Sequence, residues 1–276
     1  LLGVSSNIMM GQKIKAGTNN CELLFDENKY IEEISKLSDI PDDIETINQF
    51  GVTPLPIITT LTAQNTQRVL SLEPTKNSLL ELQFKLIDED ISFNTVKIGL
   101  LGTTSQVKTI SKLLSNKQGL NIVLDPIISS STDDILSSKE MIDAMKNELI
   151  PLCLILTPNL AELNALAPGL NEESAISSLN CPWVLLTTSD SSEIQVEHRL
   201  YHNANLVSKF TYKKLTGQYH GSGCTLSSAI AALLADNVPV EDACKKALDY
   251  TYQSLLSAKK VGKMQYHPNR TFPKQL

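Results

Sequence analysis

The sequence is poor in aromatic residues and has no excess of positive charge. Phe, Trp and Tyr make up 5% of its 276 residues, and 24 Lys and Arg stand against 30 Asp and Glu, which gives a formal net charge of −6. Because no run of basic residues interrupts this balance, no nucleic-acid-binding surface is predicted. The five cysteines are scattered without a C-x-x-C pair. Neither a zinc site nor a disulfide framework is therefore expected, and a reduced, cytoplasmic setting is favoured.

A long hydrophobic run and an internal repeat are also missing. The apolar opening LLGVSSNIMM is too short to span a bilayer and is followed by polar QKIK, which predicts neither a membrane span nor a signal peptide. Hydrophobic residues account for 42% and charged residues for 20% of the chain, ordinary proportions for a globular protein. The length fits one large α/β domain, and we expect a single domain over residues 1–276.

Apolar, β-branched stretches alternate with segments of helical periodicity from residue 55 onward. The expected strands are LPIITTLT (55–62), TVKIGLLG (95–102), NIVLDPI (121–127), CLILTPN (153–159) and WVLLTT (183–188). The expected helices cover 42–50, 77–88, 105–115, 139–149, 159–166, 225–235 and 240–259. This alternation predicts an α/β fold in which a central, mostly parallel sheet carries helices on both faces, with an antiparallel pair over 193–212 at its edge. In the less regular first part, a strand over 1–4 and a helix over 28–37 are expected.

Several polar residues and one glycine follow the expected strands. In a parallel sheet, ligands bind beyond the carboxyl ends of the strands, which is where Asn65, Gly99, Asp125 and Asn159 lie. A carboxylate at the end of a buried strand is costly without a partner. Asp125 therefore either accepts hydrogen bonds from the next loop or faces a ligand cleft. The amides of Gln64 and Asn65 either bind the polar edge of a small heterocycle or close a turn.

The stretch QYHGSGCTLSSAIAALL (218–234) places two glycines directly before a helix of small residues. Backbone N–H groups at a helix start have no partner within the helix, and with the helix dipole they bind anions such as phosphate. Gly221 and Gly223 therefore predict either an anion-binding turn or a tight turn that serves only packing. The dipole would also lower the pKa of the Cys224 thiol and provide a general base or nucleophile. The alternative for this thiol is a small buried hydrophobe.

Asn159 and Glu162 in TPNLAEL lie one helical turn apart. A carboxylate and an amide in this arrangement can hold the water shell of Mg²⁺ beside the phosphates of a nucleotide. An Asn followed by Glu at the third position is also a capping box, and the spacing alone favours that interpretation.

Six motifs in a fixed order give the chain a family resemblance. They are DIETI (43–47), ITTLTAQNT (58–66), VKIGLLG (96–102), VLDP (123–126), LTPNLAE (156–162) and YHGSGCTL (219–226). With these motifs the chain resembles the hydroxymethylpyrimidine/phosphomethylpyrimidine kinases of thiamine biosynthesis, which are ribokinase-like. The resemblance implies transfer of the ATP γ-phosphate to the hydroxymethyl oxygen of 4-amino-5-hydroxymethyl-2-methylpyrimidine, followed by a second phosphorylation of that product.

The resemblance also implies roles for individual residues. Cys224 would be the catalytic base, next to an anion hole formed by Gly221, Ser222 and Gly223. The pyrimidine would be held by residues of the first three motifs, namely Asp43, Thr62, Gln64 and Gly99. The nucleotide would lie near residues that follow later strands, namely Asp125, Thr157, Asn159 and Thr187. Mg²⁺ would be associated with Asn159 and Glu162; ATP and the pyrimidine would be the partners, with a homodimer as a further expectation.

Two elements depart from the family pattern. Family members carry a glycine-rich stretch ahead of the helix that contains the pyrimidine-site Asp, whereas this chain reads EEISKLSDIPD, without glycine, up to Asp43. A K-G-G-H segment after a later strand is replaced by TTSD, with Thr187 where a lysine is common. The divergent segment 1–42 predicts a more open pyrimidine site and weaker binding. A catalytically silent pyrimidine- or nucleotide-binding homologue and a pyridoxal-type kinase remain alternatives.

Overall fold

The computed structural model describes residues 7–12, 42–64, 67–128, 137–188 and 194–271. Its strands are, in chain order, β1 (Asn7–Gln12), β2 (Thr53–Ile58), β3 (Thr60–Gln64), β4 (Val69–Pro74), β5 (Thr95–Ile98), β6 (Asn121–Leu124), β7 (Ile155–Leu156), β8 (Trp183–Leu186), β9 (Gln195–His202) and β10 (Asn205–Lys213). Eight of them form one sheet in the order β10-β9-β8-β7-β6-β5-β1-β2, and β3 pairs with β4 separately. The strand expected over 1–4, the helix expected over 28–37 and Asn65 lie outside the described residues.

The centre of the large sheet is parallel and its margins are antiparallel. The strands β5, β6, β7 and β8 pair in parallel, whereas β1 and β2 on one side and β9 and β10 on the other pair antiparallel. The predicted parallel core and the antiparallel pair near 193–212 are thus confirmed. Because β5 to β8 point the same way, their carboxyl ends meet at one edge of the sheet. Gly99, Asp125, Thr157 and Thr187 directly follow these four strands.

The prediction of one buried strand over 55–62 was wrong, because this stretch forms two strands. Pro54 and Pro56 lie on β2, which is at the edge of the described sheet and pairs there with β1 alone. Proline lacks the N–H that a central strand needs, so the edge position suits both residues. Between the strands, the Thr59 hydroxyl donates to the carbonyl of Leu100 at 2.8 Å. The chain then leaves the large sheet, and β3 pairs with β4.

Helices cover both faces of the sheet, as predicted. They are α1 (Asp42–Gln49), α2 (Asn77–Asp90), α3 (Thr104–Ser115), α4 (Lys139–Ala144), α5 (Leu160–Leu166), α6 (Glu172–Ser178), α7 (Ser222–Ala235) and α8 (Val240–Leu256). Helices α2 to α6 pack on one face against residues such as Ile98 and Leu124. Helices α7 and α8 pack on the other face against residues such as Val123 and Leu185, and α1 packs on α7. None of these described helices combines the length and apolar character of a membrane span.

The β3–β4 hairpin is held at its base by one glutamine of α3. The side-chain amide of Gln106 donates from Nε2 to the carbonyls of Thr59 at 2.7 Å and Thr75 at 2.8 Å. Its Oε1 accepts from the N–H of Gly102 at 2.8 Å. A Cβ on Gly102 would lie 2.7 Å from Thr60 Oγ1, so this close approach requires glycine. The base of the hairpin therefore lies against the loop that follows β5, at the edge where the parallel strands end.

Candidate active site

The turn predicted to bind an anion directly precedes α7. Gly221 is the residue before the helix and has a φ of 81° and a ψ of 8°, a left-handed conformation that favours glycine. The N–H groups of Ser222, Gly223 and Cys224 lie in the first turn of the helix, where no intrahelical partner is available. Gly221 has no side chain that could cap them. This turn can receive an oxyanion through backbone N–H groups and the positive end of the helix dipole.

Asp125 lies against the first turn of α7. Its carboxylate is buried, and Oδ2 accepts a hydrogen bond from the Ser227 hydroxyl at 3.3 Å. A Cβ built on Gly223 would lie 3.5 Å from the same oxygen. Burial raises the pKa of Asp125 to about 6, with the charge of Lys97 acting in the opposite direction and that of Asp43 adding to the rise. The structure therefore brings Asp125 and the predicted anion-binding turn together, although they are almost 100 residues apart in sequence.

Asn159 and Glu162 form the capping box that their spacing favours. The Asn159 side-chain oxygen accepts from the Glu162 N–H at 2.8 Å, and Glu162 Oε2 accepts from the Asn159 N–H at 2.9 Å. Asn159 is exposed at the end of the sheet, whereas Glu162 is buried. Burial, followed by repulsion from Asp125, raises the pKa of Glu162 to about 8. The capping box therefore does not exclude that Glu162 binds a ligand, because the buried Glu162 carboxyl also interacts electrostatically with that of Asp125.

Asp125 and Glu162 give this edge the chemistry of a cation site. Two buried carboxyl groups that repel each other are stabilised as carboxylates when a cation is close. Mg²⁺ takes one or two protein carboxylates and completes its coordination with water and phosphate oxygens, so these residues fit it. In the described ranges no group of three or more His, Cys, Asp or Glu side chains is arranged to hold a metal ion.

Thr157 and Thr187 lie beside the capping box, at the ends of neighbouring strands. The N–H of Thr157 donates to the carbonyl of Leu124 at 3.0 Å, which continues the parallel pairing past the end of β7. The N–H of Thr187 donates to the carbonyl of Pro158 at 2.9 Å, and Thr187 forms a bridge with Asn159. Both threonines are therefore placed by the backbone of the sheet. Their contact with a nucleotide stays a prediction.

Lys97 is the site residue that the sequence analysis missed. It lies on β5 with no exposed surface, and its Nζ donates to both carboxylate oxygens of Asp43 at 3.0 Å. Ser228 on α7 donates to Asp43 Oδ1 at 2.7 Å. Although burial lowers the pKa of the Lys97 ammonium, attraction by Asp43, Cys224 and Asp125 raises it above its usual value overall. A lysine within an otherwise apolar strand is the signal, since a buried charge requires a partner.

The residues predicted to bind the pyrimidine lie in two groups. Thr62 is buried and Gln64 is half-buried on β3, and a register shift in the pairing with β4 falls between Ala63 and Gln64. Such a bulge redirects the side chains that follow it. Gly99 is buried at the end of β5, whereas Asp43 lies on α1 in the ion pair with Lys97. Contact of all four predicted residues with a pyrimidine remains to be tested.

Cys224 differs from its prediction in electrostatics. The side chain is half-buried in the first turn of α7. Burial raises the pKa of the Cys224 thiol well above its usual value, and the carboxylates of Asp43, Asp125 and Asp42 add to the rise, while Lys97 opposes it. The lowered pKa that was expected from the helix N-terminus alone is therefore not found. The sequence did not show that α7 begins among three acidic side chains.

The sequence is similar to those of known proteins. Residues 39–269 match the model of the phosphomethylpyrimidine kinase family. A hydroxymethylpyrimidine/phosphomethylpyrimidine kinase from Rhizobium meliloti is 30% identical over 232 residues, which cover 80% of this chain and 86% of the relative. A putative hydroxymethylpyrimidine/phosphomethylpyrimidine kinase 2 from Schizosaccharomyces pombe is 29% identical over 245 residues. There the match covers 78% of this chain but only 44% of the relative, so this chain spans less than half of that protein.

Solved structures agree with the fold. The structure of a pyridoxal kinase from Bacillus subtilis in complex with ADP superimposes with a TM-score of 0.75 at 22% identity, covering 84% of this chain and 91% of that one. Its sequence is too distant to indicate a substrate, so this likeness shows the ribokinase-like fold. The family match over most of the sequence carries the assignment, and the chain belongs to the phosphomethylpyrimidine kinase family.

Proposed function

We propose that the protein is an ATP-dependent kinase that phosphorylates 4-amino-5-hydroxymethyl-2-methylpyrimidine and its monophosphate. The observation that carries the proposal is the left-handed Gly221 turn, which opens α7 next to Asp125 at the carboxyl edge of the parallel strands. Phosphoryl transfer depends mainly on positioning and on stabilisation of charge. A helix N-terminus beside a buried carboxylate pair offers both, and family membership suggests the substrate class.

In the proposed reaction, the hydroxymethyl oxygen attacks the γ-phosphorus, the bond from that phosphorus to the β–γ bridging oxygen breaks, and ADP leaves. The N–H groups of Ser222, Gly223 and Cys224 would bind the oxygens of the transferred group. The Cys224 thiolate would accept the hydroxyl proton. Burial and the carboxylates around it raise the pKa of Cys224. The Lys97 charge and the helix dipole are the features that favour the thiolate.

Mg²⁺ would be held by Asp125 and Glu162 near Asn159, and it would neutralise charge on the phosphates. To bind a cation, these carboxyl groups must lose their protons. The ATP phosphates would then lie along the ends of β6, β7 and β8, where Thr157 and Thr187 follow the strands. The pyrimidine would lie between the hairpin that carries Thr62 and Gln64 and the loop beginning at Gly99. The Gln64 amide could pair with the ring because it offers both a donor and an acceptor.

The direct test is a transfer assay with ATP, Mg²⁺ and the free pyrimidine, in which mass spectrometry identifies the singly and doubly phosphorylated products. Pyridoxal is offered in parallel, because the structural likeness includes a pyridoxal kinase. Gln64→Ala should raise the KM for the pyrimidine, whereas Gln118→Ala, on an exposed loop, should not. If pyridoxal were phosphorylated and the pyrimidine were not, the substrate assignment would change to pyridoxal. ATP and pyrimidine binding without any transfer would favour the silent homologue.

We also propose that the protein forms a homodimer through α2. Three leucines on one face of this helix are about half exposed: Leu79 at 48%, Leu82 at 51% and Leu86 at 56%. Their spacing of three and four residues forms a continuous apolar stripe of the kind that packs helix against helix. Light scattering after gel filtration should show a dimer for the wild type and a monomer for Leu82→Asp. Leu170→Asp, a change at an equally exposed leucine in a loop, should remain dimeric.

A cytoplasmic location and a single kinase domain complete the proposal. The four described cysteines, Cys153, Cys181, Cys224 and Cys244, are free thiols, a state that a reducing compartment preserves. One eight-stranded sheet runs through the described ranges, which favours a single folding unit. Fractionation of cells that express the tagged chain tests the location, and a single cooperative unfolding transition is expected for one domain.

A further inference from the structure

The last described segment of the chain runs beside the predicted anion-binding turn. We call residues 259–271 the carboxy-terminal strap. The N–H of Tyr266 donates to the carbonyl of Gln218 at 2.8 Å, and the N–H of His220 donates to the carbonyl of Tyr266 at 3.0 Å. These bonds attach the strap to Gln218 and His220, just before Gly221. The strap is thus part of the framework on which the turn is built.

Arg270 connects this strap to two helix starts. Its side chain is 4% exposed, and Nε donates to the Thr225 hydroxyl oxygen on α7 at 2.8 Å. Nη2 lies 2.8 Å from Asp42 Oδ2, and Nη1 donates to Glu45 Oε2 at 3.4 Å, both on α1. Thr225 in turn donates to the Gly221 carbonyl at 2.8 Å. One hydroxyl therefore joins the guanidinium to the turn.

The guanidinium also lies directly against Gly221. A Cβ at this position would be 2.7 Å from Arg270 Nη2 and 2.1 Å from Asp42 Oδ2. Gly221 is therefore enclosed on this side by the ion pair, and the turn cannot shift towards it without displacing a buried charge. Nη2 has the ion-pair contact with Asp42 but no aligned hydrogen bond to any residue in the described part of the chain. Among the described residues, Nη2 is thus held by the ion pair alone and has no hydrogen-bond acceptor beside the turn.

We propose that Arg270 is a positioning residue of the phosphoryl-transfer site, which fixes Gly221 and so aims the N–H groups of Ser222 to Cys224 at the phosphate. The inference rests on the proposed function and deepens it, since it extends the site to the carboxy-terminal strap. The family match ends at residue 269, one position before Arg270. The competing explanation is that Arg270 only anchors the strap and that any effect of its loss is one of stability.

The test compares Arg270→Met and Arg270→Lys with Tyr250→Phe in the full chain. Tyr250 donates from its hydroxyl to the main-chain carbonyl of Arg270 at 2.8 Å, so Tyr250→Phe loosens the strap and leaves the guanidinium in place. Calorimetry gives the Kd for ATP with Mg²⁺, thermal unfolding gives the stability, and the pyrimidine assay gives kcat and KM. All activities are measured well below the Tm of each variant.

Arg270→Met should weaken ATP binding and lower kcat by about 10-fold or more each, a loss of about 1.4 kcal/mol per factor of ten. Arg270→Lys should recover part of both, because its charge is kept but it cannot contact Thr225 and Asp42 together. Millimolar guanidinium ion should partly restore kcat of the Met variant. Tyr250→Phe should lose stability but keep the wild-type Kd and kcat.

Equal ATP affinity in wild type and Arg270→Met would overturn the inference, as would equal losses in Tyr250→Phe. If Arg270→Met does not fold, Arg270→Lys is compared with the wild type instead. A Kd and a kcat in Arg270→Lys equal to those of the wild type would also overturn the inference. A wild type that binds ATP but transfers nothing to the pyrimidine would refute the proposed function alone. The Kd comparison would still decide the role of Arg270. A wild type that binds no ATP would refute both.

Discussion

Both carboxylate oxygens of Asp43 accept hydrogen bonds from Lys97 Nζ, each at 3.0 Å. The Ser228 hydroxyl adds a third bond to the same carboxylate. A carboxylate has about four acceptor positions, so the described residues leave one of them for a ligand. The pair joins α1, β5 and α7 beneath the predicted anion-binding turn. Asp43 therefore acts first as the partner of a buried lysine, and its predicted contact with the pyrimidine would use the position that is left.

Loss of Lys97 should destabilise the protein strongly. Lys97→Met leaves the Asp43 carboxylate buried without its counter-charge, which costs roughly 3–5 kcal/mol when one partner of a buried pair is removed. Urea unfolding followed by circular dichroism measures the change. The double variant Lys97→Met with Asp43→Leu should recover most of the loss, because neither charge then remains buried.

The matched control for Lys97 is an exposed lysine in an ion pair. Lys85 lies 3.5 Å from Glu89 on the surface of α2, and Lys85→Met should change the unfolding free energy by less than about 0.5 kcal/mol. A loss of similar size in Lys97→Met and Lys85→Met would mean that the buried pair contributes no more than a surface pair.

The sequence predicted the parallel centre of the fold because near-continuous apolar strands alternate with amphipathic helices. It missed the division at Thr59, since a β-branched run has the same composition whether it stays in one sheet or leaves it. It also predicted a candidate site at the strand ends, where the structure places Gly99 and Asp125. Lys97 and Arg270 were missed because their partners are tertiary. Likewise the acidic surroundings of Cys224 come from α1 and from Asp125 directly after β6, which no local pattern reveals.

Glu162→Gln should make the ligand-free protein less sensitive to rising pH. The pKa of Glu162 is about 8 in the folded protein against a usual 4.5. A carboxyl with a raised pKa stabilises the fold while protonated, and that contribution is lost as the pH rises from about 4.5 through about 8. Gln cannot ionise and still offers an acceptor for the Asn159 N–H. Across this pH window, the free energy of unfolding of the variant should therefore rise relative to that of the wild type by on the order of 1–3 kcal/mol.

Thermal or urea unfolding at a series of pH values measures the difference between Glu162→Gln and the wild type. Glu173→Gln, a change at an exposed carboxylate on α6, should follow the wild type at every pH. A constant difference from acid to alkaline pH would show that Glu162 does not titrate in this range, and would remove the main physical support for a cation beside it.

Gly223→Val should separate binding from folding. Among the described residues, a Cβ at this position would meet only the Asp125 carboxylate, with Oδ2 at 3.5 Å and Oδ1 at 3.9 Å, which are ordinary contacts, so the fold should tolerate the side chain. The branched group would nevertheless stand over the N–H groups that are predicted to bind phosphate. We expect the Kd for ATP to rise by about 10-fold or more, with a small change in Tm. Gly223→Ala should have a Kd for ATP between those of the wild type and Gly223→Val. Normal ATP binding by both variants would show that the turn has only a structural role.

Cys224 should be a slow nucleophile at neutral pH and still be needed for turnover. Because burial and nearby carboxylates raise the pKa of Cys224, its alkylation by iodoacetamide should be slow near neutrality and accelerate as the pH rises. The experiment uses a Cys21→Ser background, in which the other cysteines of the described chain, Cys153, Cys181 and Cys244, are buried. Mass spectrometry of the labelled peptide follows the reaction.

If Cys224 is the base, kcat should increase with pH in the same direction as the alkylation rate, since both require the thiolate. Cys224→Ala should lower kcat by about 100-fold, the usual scale for loss of a general base, and leave the Kd for ATP nearly unchanged. A pH-independent residual rate is expected in that variant. Full activity in Cys224→Ala, or a kcat that falls with rising pH in the wild type, would assign the proton to another group. The Asp125 carboxylate, which lies beside Gly223, is one group within reach of the turn.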